Sequence, residues 1–163
     1  MLGHIIEKSS GWPVEDFTCE YLFKPLGIRD YSWDVDENGV TRTDGGLKLR
    51  PRDMLKLGQL YLSDGKWKDN QIISGNWIHC STEQKIGSNN EGYAFHWWIR
   101  NYNVNNTLFH TFHALGHGEQ AIIIVPEHRL VFVMTAGNYL QSEHRPFEIL
   151  TDFILPAIET DRL

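Results

Sequence analysis

Residues 120–135 read Gln120-Ala121-Ile122-Ile123-Ile124-Val125-Pro126-Glu127-His128-Arg129-Leu130-Val131-Phe132-Val133-Met134-Thr135. Two nearly unbroken apolar runs, Gln120 to Val125 and Leu130 to Thr135, flank a short Pro-Glu-His-Arg connection, the pattern of a β-hairpin. A strand with one wet face alternates apolar and polar residues. A continuous run instead implies that both faces of the sheet are covered. The fold around this hairpin must therefore place other elements on both sides of a sheet.

Outward from the hairpin, Leu108 to Leu115 is a further strand candidate. After Gly92 the sequence alternates. Tyr93, Phe95, Trp97 and Ile99 fall on one face of an expected strand, with Ala94, His96, Trp98 and Arg100 on the other. Pro146 opens a closing helix with Phe147, Leu150, Ile154 and Ile158 on its buried side, broken near Pro156. The N-terminal half is helical in period. One helix spans Met1 to Ser10, with Leu2, Ile5 and Ile6 on one face, and ends at Gly11. A second spans Val14 to Phe23 and is closed by Pro25 and Gly27. A third starts at Pro51 and stops at Ser63-Asp64-Gly65. A fourth, Gly75 to Gln84, is N-capped by Ser74 and turns Trp77 and Ile78 inward. The stretch from Asp30 to Leu49 reads as irregular, with turns at Asp36–Gly39 and Asp44–Gly46. This order predicts an α+β fold, an antiparallel sheet of three or four strands flanked by helices.

The 163 residues have room for one domain. Hydrophobic residues make up 41% and charged residues 22%, which excludes global disorder. A net charge of −6 argues against a nucleic-acid partner, whose phosphates require a basic face. The longest apolar run, Ala121 to Val125, is far too short to span a membrane. Two cysteines, Cys19 and Cys80, cannot build a disulfide framework. The first helix has no capping run before it, so the expectation is a single domain over residues 1–163 that is truncated at its N-terminus.

His110, His113 and His117 could suggest a metal centre. On a strand, however, positions 110 and 113 point to opposite faces, and Glu119 is the nearest carboxylate. No metal and no cofactor are expected. Ser63-Asp64-Gly65-Lys66 has the Ser-x-x-Lys form of a serine acyl-transfer nucleophile, but this serine ends a helix where the nucleophile should begin one. The stretch Gly116-His117-Gly118-Glu119-Gln120 is more informative. Its glycines permit a sharp turn and close approach of a ligand to the main chain, whose N–H groups can then face a developing negative charge.

Several stretches in fixed order carry a resemblance. They are Leu2 to Lys8 with Ser10-Gly11, Leu22 to Ile28, Gly45-Gly46-Leu47, Pro51 to Met54, Leu60 to Leu62, Gly65 to Trp67, Tyr93 to Trp98, and Gly116 to Gln120 with the strand ending at Pro126. Taken together they resemble the C-terminal part of the class C beta-lactamase-related serine hydrolases, which include esterases and penicillin-binding-protein-like enzymes. The resemblance implies an incomplete beta-lactamase/transpeptidase-like domain. Such enzymes carry a Ser-x-x-Lys and a Tyr-x-Asn motif ahead of the first helix seen here, and this chain has no credible copy of either. Their third motif, Lys-Thr-Gly or a variant, corresponds to Ala114-Leu115-Gly116, without the lysine. That departure is closer to the esterase and amidase members. Glu119 stands where many relatives carry glycine.

The resemblance therefore implies an oxyanion or active-site wall made of Ala114, Leu115, Gly116, His117 and Gly118, with the N–H of His117 as one oxyanion donor. Trp98, His113 and Gln120 become the substrate-binding candidates. The implied partners are a small ester or amide substrate in the complete enzyme and the absent N-terminal segment. The isolated chain, lacking a nucleophile, is expected to be inactive. The alternative is a non-catalytic module that holds a ligand or partner on the surface of Trp98, His113 and His117.

Overall fold

A computed structural model describes residues 1–83, 86–88, 90–140 and 145–160. Helix α1 (Leu2–Ser10) ends where Gly11 turns left-handed at φ 76°. Leu2 and Ile5 lie exposed on it, and only Gly3 is buried. Helix α2 (Val14–Thr18) runs through a π turn, Cys19–Phe23, into α3 (Lys24–Leu26), which stops at Gly27 with φ 64°. Strands β1 (Tyr31–Trp33) and β2 (Leu47–Leu49) pair antiparallel, so the expected irregular stretch is a two-stranded ribbon. Its far end is turned by Asp36, whose carboxylate accepts from the N–H groups of Asn38 and Val40. Helix α4 (Pro51–Leu62) ends at Ser63 as expected. A short hairpin follows, β3 (Lys66–Trp67) with β4 (Asn70–Gln71).

Helix α5 (Gly75–Thr82) is capped by Ser74 Oγ, which accepts from the N–H of Trp77 at 3.2 Å. The expected end of this helix at Gln84 lies outside the described residues. Ile78 faces inward, but Trp77 is 45% exposed and packs on Phe95, with ring centroids 5.2 Å apart.

The main sheet is antiparallel and has six strands among the described residues, ordered β10-β9-β8-β7-β6-β5. They are β5 (Ile86–Gly87), β6 (Glu91–Tyr93), β7 (Trp98–Val104), β8 (Thr107–Gly116), β9 (Gln120–Val125) and β10 (Leu130–Met134). The sheet is thus wider than the three or four strands expected. The extra members are β5 and β6, and the alternating stretch 93–100, expected as one strand, spans the end of β6, a turn and the start of β7. It folds back on itself between β6 and β7: Ala94 N–H donates to the Trp97 carbonyl at 2.9 Å, and His96 sits at φ 65°. Period-2 alternation cannot reveal such a turn, because both arms of a hairpin keep it. Tyr93 and Trp98 consequently become cross-strand partners on one face, ring centroids 4.8 Å apart, and Phe95 is exposed at the turn.

Both sheet faces are covered. The closing segment packs Leu150 and Leu155 onto Phe109, Ala121, Ile123 and Val125. It consists of α6 (Arg145–Ile149), a π turn (Leu150–Ile154) and α7 (Leu155–Thr160). On the other face, α4 brings Met54, Leu57 and Tyr61 against Trp97, Phe112, Ile122 and Ile124. Contact there is close enough that a Cβ on Gly58 would lie 2.4 Å from a methyl of Val131. β9 is buried from Ala121 to Val125, as the continuous run demands, while β10 is half-buried along its length.

Pro25 and Pro156 each follow a π turn by two residues; the stretch containing Pro25 closes at Gly27 as expected, whereas the closing helix runs on through Pro156. Proline lacks an N–H and its ring crowds the carbonyl four residues earlier. A turn widened to the i→i−5 pattern makes room for that ring, so the chain stays helical.

Candidate functional site

β8 leaves its neighbours at different points. It pairs with β7 from Thr107 to His113, where Trp98 ends the register, and with β9 from Phe112 to Gly116. Ala114, Leu115 and Gly116 are therefore hydrogen-bonded on one side only. Alternate residues of a strand direct N–H and C=O to opposite sides, so this edge carries main-chain groups without a strand partner among the described residues. Ala114 is half-buried, and Leu115, Gly116 and His117 are exposed.

The turn from β8 to β9 has three residues, and two of them are left-handed: Gly118 at φ 78° and Glu119 at φ 68°. A Cβ on Gly118 would lie 2.5 Å from the Tyr139 ring, so the ring closes over the glycine. The residues after β10 hold this turn. Gln120 Nε2 donates to the carbonyls of Gly118 (3.1 Å) and Ala136, so both amide hydrogens of this expected substrate-binding residue are spent as an internal brace. The Glu119 carboxylate accepts from Asn138 Nδ2 and from the N–H of Arg145. The His117 ring lies against Tyr139, centroids 5.3 Å apart. Sequence reasoning missed Asn138 and Tyr139, since nothing in their local pattern ties them to a turn some twenty residues away.

Trp98 and His113, the other two candidates, face one another across β7 and β8. They line a cleft of about 420 Å³ on the sheet face that carries α6, together with Tyr93, Leu115 and Phe147. Trp98 is 51% exposed at its wall, whereas His113 is fully buried at its floor. The hydroxyl of Thr111 donates to the Arg100 carbonyl at 2.7 Å, so its oxygen is free to accept from His113 Nε2–H. That fixes the tautomer: Nδ1 keeps the lone pair, and it is buried without a partner among the described residues. Burial, reinforced by the Arg100 charge, lowers the imidazole pKa to about 3, so the ring is neutral. His110 is elsewhere, exposed on the opposite face with Nδ1 2.8 Å from Asn101 Oδ1. The three histidines do not converge, and no cluster able to hold a metal exists among the described residues.

These features can be set beside known proteins. The beta-lactamase family profile matches residues 1–149. The chain belongs to the beta-lactamase family. A 6-aminohexanoate-dimer hydrolase of Paenarthrobacter ureafaciens is 27% identical over 79 residues, which are 48% of this chain and 20% of that protein. Among solved structures, a Bacillus anthracis protein assigned as a 6-aminohexanoate-dimer hydrolase superposes with a TM-score of 0.82 at 20% identity, covering 99% of this chain and 42% of its own. An octameric penicillin-binding protein homologue from Pyrococcus abyssi gives 0.66 at 20% identity, over 96% and 40%. A class C beta-lactamase variant gives 0.65 at 17% identity, over 96% and 55%. These likenesses establish a beta-lactamase/transpeptidase-like fold. The chain spans roughly half or less of the length of each of these proteins. No helix among the described residues is long and apolar enough to cross a membrane.

Proposed function

We propose that these 163 residues furnish the oxyanion side of a serine hydrolase that acts on an ester or amide through an acyl-enzyme. In that chemistry a serine Oγ attacks the carbonyl carbon while a base takes its proton. The leaving alcohol or amine departs reprotonated, and water then releases the acid. The attacking serine and its lysine come from polypeptide outside these residues. The open edge of Ala114, Leu115 and Gly116, ending at the braced turn, is the observation that supports this reading. An extended substrate can add to that edge through its main chain or amide. The N–H of His117, first in the turn, is one donor to the tetrahedral oxyanion, and Gly118 completes the wall. Loss of one such donor costs roughly 10² to 10³ in rate.

The test is p-nitrophenyl acetate hydrolysis and fluorophosphonate labelling of the chain, alone and after co-expression with a complementary beta-lactamase-family segment bearing a Ser-x-x-Lys motif. The expected outcome is no label and no turnover for the chain alone, with both appearing on complementation and the label on the added serine. Labelling of Ser63 in the isolated chain would overturn the proposal.

A further inference from the structure

We infer that the cleft over His113 is a binding site for a small, neutral, largely apolar molecule bearing one N–H or O–H donor, with that donor seated on His113 Nδ1. The inference does not require acyl transfer: the cleft lies on the sheet face under α6 and shares only Leu115 with the open edge of β8.

Three observations converge on it. The cleft, about 420 Å³, is of the size that takes small ligands, and its walls are chiefly apolar: Trp98, Tyr93, Leu115 and Phe147. Its floor carries a single acceptor whose chemistry is fixed. His113 Nε2–H is committed to Thr111, which in turn donates to the Arg100 carbonyl, so Nδ1 can only accept. A buried acceptor left without a donor is costly, and native proteins rarely leave one unmatched.

The surroundings also select against charge. Arg100 and Glu91 both line the cleft and neutralise one another at 2.6 Å, so neither leaves a net charge for a charged ligand to match. A carboxylate would bring lone pairs against a lone pair. A neutral alcohol, phenol, indole or primary amide satisfies both the apolar walls and the acceptor. Burial keeps His113 neutral, so the acceptor persists through the ordinary pH range.

Indole and indene make the decisive probe pair, because they share shape and apolar area while only indole donates. Titration of the ¹⁵N-histidine-labelled chain, followed by the His113 ring nitrogens and by Leu115 methyl shifts, should show saturable indole binding. Indole should bind at least tenfold more tightly than indene and shift the Nδ1 resonance specifically. Trp98→Ala, which alters an exposed wall and leaves the floor intact, should weaken indole at least fivefold. His113→Phe should bring indole and indene to parity. Equal affinity of the two probes for the unaltered chain, absence of saturation, or indole shifts that leave His113 unmoved would each overturn the inference.

Discussion

Over Thr107 to Thr111, β8 has a strand partner only in β7, and over Ala114 to Gly116 only in β9. The two ends of one strand thus share the same defect, an edge with no ladder. At the first end the turn that joins β9 to β10 covers it. Glu127 accepts from the His110 N–H at 3.5 Å, and His128 lies on the Phe109 ring at 4.8 Å. At the second end no strand of the described residues pairs with the edge, and the neighbouring turn is held back by Gln120 and Glu119, away from it. Edges are normally blunted because they invite association. A strand that blunts one end leaves the other available for pairing.

The widest separation between the ends is in stability. Phe109 is fully buried beneath α6–α7, and Leu115 is 43% exposed. Phe109→Ala should cost about 3–5 kcal/mol, and Leu115→Ala less than about 1 kcal/mol, by urea denaturation. Comparable costs would mean that the presented end is core after all.

His113 marks the boundary between the ends, and acid should expose it. Its imidazole titrates near pH 6.5 when unfolded but only at about 3 when folded. The folded state thus resists a proton that the unfolded state accepts. Stability is unaffected above pH 6.5 and falls as pH drops from there toward 3, by up to about 1.4 kcal/mol per pH unit. At pH 4.5 this amounts to roughly 2–3 kcal/mol. His113→Phe should flatten that part of the pH–stability curve, read as the difference between the two proteins' urea midpoints at each pH.

Much of the sheet was legible in the sequence, and the reason is burial. The unbroken run Ala121 to Val125 could only be a strand covered on both faces, and it is. The stretch Tyr93 to Arg100 reads as one strand because alternation survives a tight turn, and the left-handed position in that turn is His96, at φ 65°, with no glycine to announce it. Pro156 misleads for a related reason. It reads as a terminator, yet the π turn before it absorbs the steric conflict, and only tertiary packing decides whether a helix survives in that way. At the candidate site, Gly116 to Gln120 could be singled out from its glycines. The brace from Ala136, Asn138 and Tyr139 could not, because it is a contact between segments joined only through β9 and β10.

The brace can be probed at Gly118. Its left-handed φ of 78° penalises any other residue, and Tyr139, 59% exposed, can swing aside from a new methyl. Gly118→Ala should therefore cost about 1–2 kcal/mol, mostly from the backbone, and Tyr139→Ala should not rescue it. Full rescue by Tyr139→Ala in thermal unfolding would show that ring contact, not φ, sets the cost.

The smallest effect, at Glu119, is also the most discriminating, because two opposed contributions meet there. A non-glycine residue at φ 68° is strained by about 1 kcal/mol, which glycine would relieve. The carboxylate, however, accepts from Asn138 and from the Arg145 N–H, and losing those bonds costs a similar amount. Glu119→Gly should therefore change stability by less than about 1 kcal/mol. Removing the main side-chain donor separates the two. In an Asn138→Ala background the carboxylate has little left to hold, so Glu119→Gly should become stabilising by about 1 kcal/mol. If the double-mutant cycle gives no coupling, the turn owes nothing to the Glu119–Asn138 pair, and Gln120 is the chief brace that keeps the presented end of β8 in place.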